Sequence, residues 1–428
     1  MSVRHKPKKI ISRKSFSRHH LLLFMVAFSL IGYLIFKSLA APNPNLAGDL
    51  NGDNTVNVTD LSILLSNYGS SNTAADINSD GTVNILDLSI LLSHYGQNYT
   101  PALGSSLPAP LPQSSGSQIS GSPASSLTSL FSGLSAGTTL CLHSGIYGQG
   151  LTTSVSLAAS GTAANPITVK SCPGETAQIA QLIVASGSYI RLSNLKFIRN
   201  SYPTDSRYGQ SGSNPGGNVG IWLQGPHITL ENSEITNTTM SAIFGGGAYD
   251  QILSNFIHDN GTTPDDHGIY YTSDDSLIAN NVFYHNYDFG IQLGYTGAYN
   301  NIIANNTAVY NGFGNPSYPG SGTVTFSGTA NNVFVNNISA YNAQYGYKTY
   351  DTTNSLSNND AYSNPAGTTS GTFSSIADLY TSDPMFVSST DFHLQSGSPV
   401  KAVGNPAYTP PLDFDGQARP SASLGAYR

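Results

Sequence analysis

The chain has 428 residues, of which only 10% are charged, and a formal net charge of −7. Eight of its seventeen lysines and arginines precede residue 38, where no acid occurs, so the remainder carries a formal charge of −15. This argues against a nucleic-acid partner, because phosphate binding needs clustered Lys and Arg.

The first forty residues read as an export element. A basic stretch leads into an apolar run from Leu21 to Phe36, then Ser38-Leu39-Ala40. Positive flank, apolar core and small residues are the pattern of a signal peptide. The run is slightly short of the roughly 20 residues of a full membrane span, whereas the basic flank is long for a cleaved signal. Residues 1–40 are therefore a signal peptide or an amino-terminal anchor. Both put the rest of the chain outside the cytoplasm, secreted or tethered, with the membrane touched only through this segment. The two cysteines, Cys141 and Cys172, can pair outside the cell, but two cysteines without geometry leave the question open.

A duplicated module covers 46–96. Residues 49–69 read DLNGDNTVNVTDLSILLSNYG and 76–96 read DINSDGTVNILDLSILLSHYG. Each copy sets oxygen side chains at loop positions 1, 3, 5, 9 and 12: Asp49, Asn51, Asp53, Asn57 and Asp60, then Asp76, Asn78, Asp80, Asn84 and Asp87. Thr55 and Thr82 would add backbone carbonyls at position 7. A twelve-residue loop with this spacing wraps one calcium ion with six or more oxygens. The apolar runs that follow read as short helices packing the copies together. Position 12 is Asp, and no helix is expected before either loop. Two such half-hands in tandem resemble a type I dockerin. The resemblance implies two calcium ions and docking onto a cohesin domain, with Val58-Thr59 and Ile85-Leu86 at the partner-selecting positions. A calcium-stiffened spacer is the plainer reading. From 97 to 126 the composition turns Pro-, Ser- and Gly-rich, which predicts a flexible linker.

Residues 127–428 repeat loosely. Asparagines recur five apart as Asn232/Asn237, Asn255/Asn260, Asn281/Asn286, Asn306/Asn311, Asn337/Asn342 and Asn359/Asn364, in units 22 to 31 residues apart. Between them run short strand-like stretches, GIWL, AIFG, GIYY and GIQL. Such a period means a solenoid, and short β-rich units with Asn and Gly at the corners mean a β-solenoid. Asparagine tolerates left-handed backbone, and stacked amides can bond from coil to coil. The repeat, together with TTLCLHSGIY near its start and DPMFVSSTDFHLQSGSPV near its end, resembles the right-handed parallel β-helix of pectate-lyase-like carbohydrate-active proteins. The predicted fold is mainly β, a right-handed parallel β-helix, with a small α-helical dockerin-type module on its N-terminal side.

Setting the coils in register turns Ile221, Ile243, Ile269 and Ile291 inward and Trp222, Phe244, Tyr270 and Gln292 outward, with Lys348 extending the column. Exposed rings can stack on sugar faces; chance exposure in a Tyr-rich protein is the alternative. Long connections at 201–219, 261–267 and 312–321 share one corner and would wall a cleft. A second column, Arg199, Thr236, Asp259, His285, Tyr310 and Tyr341, precedes the corner asparagines. The catalytic candidates are thus Asp259, Asp265, Asp266, His267, Tyr270 and His285, and the substrate-binding candidates Trp222, Phe244, Gln292 and Arg199. Elimination from a uronate would use His267 or His285 with Tyr270, and the paired aspartates could hold a further calcium ion. Hydrolysis would use two of the carboxylates. Asp-Asp-His ahead of a strand can also be simple turn capping. The sequence thus points to an exported protein acting on a polysaccharide, by hydrolysis or lyase-type cleavage; the rival reading is a non-catalytic adhesin or glycan-binding protein.

Overall fold

The computed structural model describes residues 48–50, 56–72, 75–78, 80–97, 107–114, 116–201, 218–294 and 297–428. The expected export segment and the loop ligands Asn51, Asp53 and Thr55 lie outside the described residues. Among those described, no helix is long and apolar enough to cross a membrane. The chain forms two compact units, Met1–Thr100 and Pro101–Arg428.

In the first unit each loop runs into a helix, Val58–Ser66 and Ile85–Ser93. Asn57 and Asn84 cap them, and Asp60 and Asp87 bond back to the cap backbone. This reciprocal box satisfies amide donors that a helix start leaves open. The copies interlock. Gly69 N donates to Val83 O and Gly96 N to Val56 O, both at 2.8 Å, over a core of Leu50, Val56, Leu64, Ala75, Val83 and Leu91.

The second unit is a parallel β-solenoid with three short strands per coil. One nine-stranded sheet takes the first strand of each coil, among them Ile221–Leu223, Ile243–Gly245, Ile269–Tyr271 and Ile291–Leu293. The other strands build two further sheets, joined where Ser355–Tyr362 runs through both. Ile221, Ile243, Ile269 and Ile291 pair in register and are buried in one continuous core, as their spacing predicts. Helix Leu127–Ser132 adds Leu127 and Phe131 to that core. Cys141 and Cys172 form a disulfide.

Asparagine's two roles fall on adjacent residues. The first residue of each corner takes left-handed backbone, as at Asn232 (φ 46°), Asn280 (φ 59°) and Asn305 (φ 53°). The next residue forms the ladder: Asn255, Asn281, Asn306, Asn337 and Asn359 join amide to amide at 2.9–3.0 Å. Asn260, Asn286, Asn311, Asn342 and Asn364 form a second ladder at 3.0–3.1 Å. Asn232 and Asn237 therefore stand one position off the ladder. In their coil Ser233 and Thr238 hold the ladder position instead, each donating its backbone N–H to the side-chain oxygen of Asn255 or Asn260. The glycines of GIYY and GIQL leave room for this. A Cβ on Gly290 would lie 2.9 Å from Asn311 Nδ2, and one on Gly268 3.0 Å from Asn286 Nδ2.

The expected linker is ordered over much of its length. Gln118–Gly121 pairs with Thr139–Leu142, Ala109 O accepts from Gln251 Nε2 at 2.9 Å, and Leu111 O accepts from Arg191. Proline and serine gave no periodic signal because these residues are held by backbone carbonyls rather than apolar side chains.

Asn306→Ala should destabilise the solenoid by roughly 2–4 kcal/mol in denaturant unfolding, since it strands the Asn281 N–H and the Ile278 carbonyl in the core. Asn232→Ala, outside the ladder, should cost about 1 kcal/mol. Equal effects would remove the ladder as a source of stability.

Candidate functional site

Trp222, Phe244, Tyr270 and Gln292 are cross-strand neighbours, followed by Val324 and Lys348. Successive rings lie 5.9 and 5.4 Å apart. They do not make an open platform. Leu182, Val219 and Met240 pack with Phe244, which is 9% exposed, while Gln292 and Val324 are 1% and 0% exposed. Covering a large ring gains about 2 kcal/mol, so this column is a second, smaller core, with Trp222, Tyr270 and Lys348 partly open.

The loop ahead of Tyr270 is committed to its own structure. Buried Asp266 accepts from Thr262 N (2.8 Å), Thr263 N (2.6 Å) and Thr263 Oγ1 (2.9 Å). The ring of His267 stacks between Tyr270 and Phe289, at 5.7 and 5.2 Å. Burial pulls His267 down to about 3, against a hydrogen bond to Gln292, leaving a neutral ring too weakly basic to take a substrate proton. Asp265 is exposed. Among the described residues no three carboxylate, imidazole or thiol groups of this wall lie within 4.8 Å of one another.

Sequence reasoning missed Asp288. It stands three residues before Ile291 as Asp266 stands three before Ile269, and that equal offset was the available signal. Its carboxylate is buried 3.6 Å from His267 Nδ1. Burial lifts it to about 8, Asp265 and Asp266 add to the rise, and Lys348 opposes it.

The corner column behaves differently, because its side chains point out of the turn. Strand pairing sets Asn237, Asp259, His285, Tyr310 and Tyr341 one coil apart. All five have φ between 53° and 57°. Thr236 belongs one residue earlier, inside its strand, opposite His258. Arg199 falls opposite Asn237, one residue before buried Asn200, and is exposed without a hydrogen bond or ion pair among the described residues.

Here two predicted residues meet. His285 Nδ1 lies 2.6 Å from Asp259 Oδ1, and His258 Nδ1 lies 2.7 Å from Asp259 Oδ2. The chain of charges continues through Glu234, 3.3 Å from His258 Nε2, to Lys196 at 2.6 Å. The hydrogen bond from His258 and then the Lys196 ammonium hold Glu234 down at about 2. Burial works to raise Asp259, but the two imidazoles hold it below the usual carboxylate range. Burial likewise disfavours charge on His258, and its two carboxylate partners outweigh that and raise it. Asp259 and His285 line a pocket of about 310 Å³ with Gly261, Tyr287, Gly314 and the exposed Phe313. His285 Nε2 has no hydrogen-bond partner among the described residues. An imidazole fixed by a carboxylate at one nitrogen and open at the other is suited to proton transfer.

In the first unit the second loop fits calcium. Asp76, Asn78, Asp80, Asn84 and Asp87 offer only oxygen donors, and Asp76 and Asp80 are already drawn together by Asp80 N, which donates to Asp76 Oδ1 at 3.1 Å. Asn78 and Asn84 turn their amides onto Asp80, 2.9 and 3.1 Å away, where they partly neutralise a charge that a cation would meet.

Together these features define a calcium-loop module joined to a right-handed β-helix with a pocket lined by the Asp259–His285 pair. Residues 47–94 match the dockerin type I domain and residues 180–364 the right-handed β-helix region, so the chain carries both. Type I dockerin domains bind calcium. The crystal structure of pectate lyase Pel9A is similar with a TM-score of 0.53 at 14% identity, over 73% of this chain and 97% of that one. A rhamnogalacturonan lyase matches at TM-score 0.44 and 15% identity, over 58% of this chain and 75% of that one. An alginate lyase from Paenibacillus sp. str. FPU-7 matches at 0.36 and 16%, over 62% and 97%. At such identities the likeness is one of fold alone, a right-handed β-helix. No curated protein matches the chain.

Asp288 implies a pH dependence. Its folded value of about 8 lies above an unfolded value of about 3.9, so the folded state holds the extra proton between those limits and stability falls as pH rises through them. Asp288→Asn should raise the melting temperature at pH 8, a gain on the order of 1–3 kcal/mol, and change it little at pH 4. A stabilisation equal at both pH values would contradict the assignment.

Proposed function

We propose that the β-helix domain cleaves a uronate-containing polysaccharide by β-elimination in the pocket around His285. The pairing of His285 with Asp259 beside an open, aromatic-walled pocket carries this reading. His285 Nε2 takes the C5 proton, Asp259 holds the other ring nitrogen, and the Tyr287 phenol protonates the leaving oxygen as the C4–O bond breaks and the C4–C5 double bond forms. The charge building on the uronate carboxylate faces the network in which His258 is driven toward its protonated form. Hydrolysis is less well supported: it needs two free carboxylates across the bond, whereas Asp259 is bound to two imidazoles and Asp266 to its own loop. Glycan binding without cleavage is the second reading, supported by the stacked pair Tyr310 and Tyr341, 5.1 Å apart in the same column.

The dockerin module, in this proposal, binds two calcium ions and docks onto a cohesin through the exposed Val58, Ile85 and Leu86. The chain is accordingly exported and works outside the cell. Asp80→Ala should weaken calcium binding at least tenfold by calorimetry; unchanged binding would remove Asp80 from the ligand set.

On a panel of polyuronates, product absorbing at 235 nm should appear with new reducing ends. His285→Ala should lower kcat/KM by 10²–10⁴-fold, the usual size of a lost general base. Asp259→Asn should lower it less, with folding intact by circular dichroism. Reducing ends without absorbance would mean hydrolysis, and binding without either product would favour the glycan-binding role.

A further inference from the structure

We infer that the polysaccharide lies along the corner column, parallel to the solenoid axis, and that Arg199 selects a second carboxylate about three sugars from the bond that breaks. This rests on the elimination reading above and extends it from one uronate at the scissile bond to a run of them.

Three observations lead there. The corner column is the open one: Arg199, Asn237, Asp259 and His285 are exposed and Tyr310 and Tyr341 half-exposed, whereas Phe244, Gln292 and Val324 on the sheet are covered. A polymer needs a continuous track, and among the described residues the exposed corner column supplies one past His285. Second, neighbouring coils stand about 4.8 Å apart, close to the length of one hexose, so each coil meets about one sugar. Arg199 lies three coils from His285, or about 14 Å along the axis. Third, the charge there is unspent. Lys196, in the strand that leads directly to Arg199, is tied to Glu234 at 2.6 Å, but Arg199 has no ion pair among the described residues. A free guanidinium in an acidic domain presents two parallel donors that match a carboxylate, a geometry lysine lacks. At the opposite end the Tyr310 and Tyr341 rings, stacked at 9°, offer apolar surface and no cation, and Asp383 Oδ1 accepts from the Tyr341 hydroxyl at 3.3 Å. The track is thus polarised, anionic recognition at one end and stacking at the other.

The test compares wild type, Arg199→Ala and Arg199→Lys on long polygalacturonate and on its trimer, which is too short to reach from His285 to Arg199 while spanning the pocket. Initial rates are followed at 235 nm, and binding of the long polymer by affinity electrophoresis. Arg199→Ala should raise KM for the polymer about tenfold with kcat within twofold, leave the trimer unaffected, and weaken polymer binding; Arg199→Lys should recover part of the loss. Equal KM for wild type and Arg199→Ala on the polymer, or an equal loss on the trimer, would overturn the inference while leaving elimination standing. Should wild type release no 235 nm product, elimination fails, and binding decides the rest: weaker retention of Arg199→Ala supports the charged subsite, and equal retention ends it.

Discussion

The structure depends on one constraint, the in-register hydrogen bonding of each coil onto the next. Parallel pairing fixes the rise at about 4.8 Å and forbids a slip, because a shift by one residue would turn the isoleucine core outward. The asparagine ladders enforce the same register at two corners. Each amide accepts from the preceding coil and donates to that coil's carbonyl or to the next amide, so a displaced coil would leave several buried polar groups unmet. Residues 26 apart in sequence, such as Asp259 and His285, are thereby held within hydrogen-bond reach.

The same register yields columns with opposite fates. On the first sheet, outward side chains are roofed by the connections that enter it, and the aromatics bury one another together with Leu182, Val219 and Met240. At the corner, left-handed backbone turns each side chain away from the coil, and His285 is exposed. Polar residues at the corner are therefore free to act, whereas His267, two residues from exposed Asp265, and Asp288, three residues from exposed His285, are desolvated and pushed far from their ordinary titration. Proximity in sequence separates poorly what burial separates sharply.

Much of the fold was legible because periodicity survives in the chain: the isoleucine pairing and the duplicated dockerin module both follow from spacing. The Asp259–His285 pair was legible for the same reason. What was not legible depends on packing from elsewhere. Counting from asparagine to asparagine merges the left-handed position with the ladder position, which is why Asn232, Asn237 and Thr236 were set one residue off. Phe244 and Gln292 point outward yet are buried, because a two-residue alternation says nothing of what lies above a strand. The order of the Pro-rich stretch around Ala109 and Leu111 rests on single carbonyls accepting from Gln251 and Arg191, and no pattern in that stretch records them.

The most direct measurement is a crystal structure of the full chain with a polyuronate oligosaccharide bound. The account predicts the sugar chain along the corner column, with one C5 about 3–3.5 Å from His285 Nε2, the separation of reacting atoms before transfer. An oligosaccharide seated instead over Trp222 and Tyr270 on the sheet, with His285 facing solvent, would contradict it.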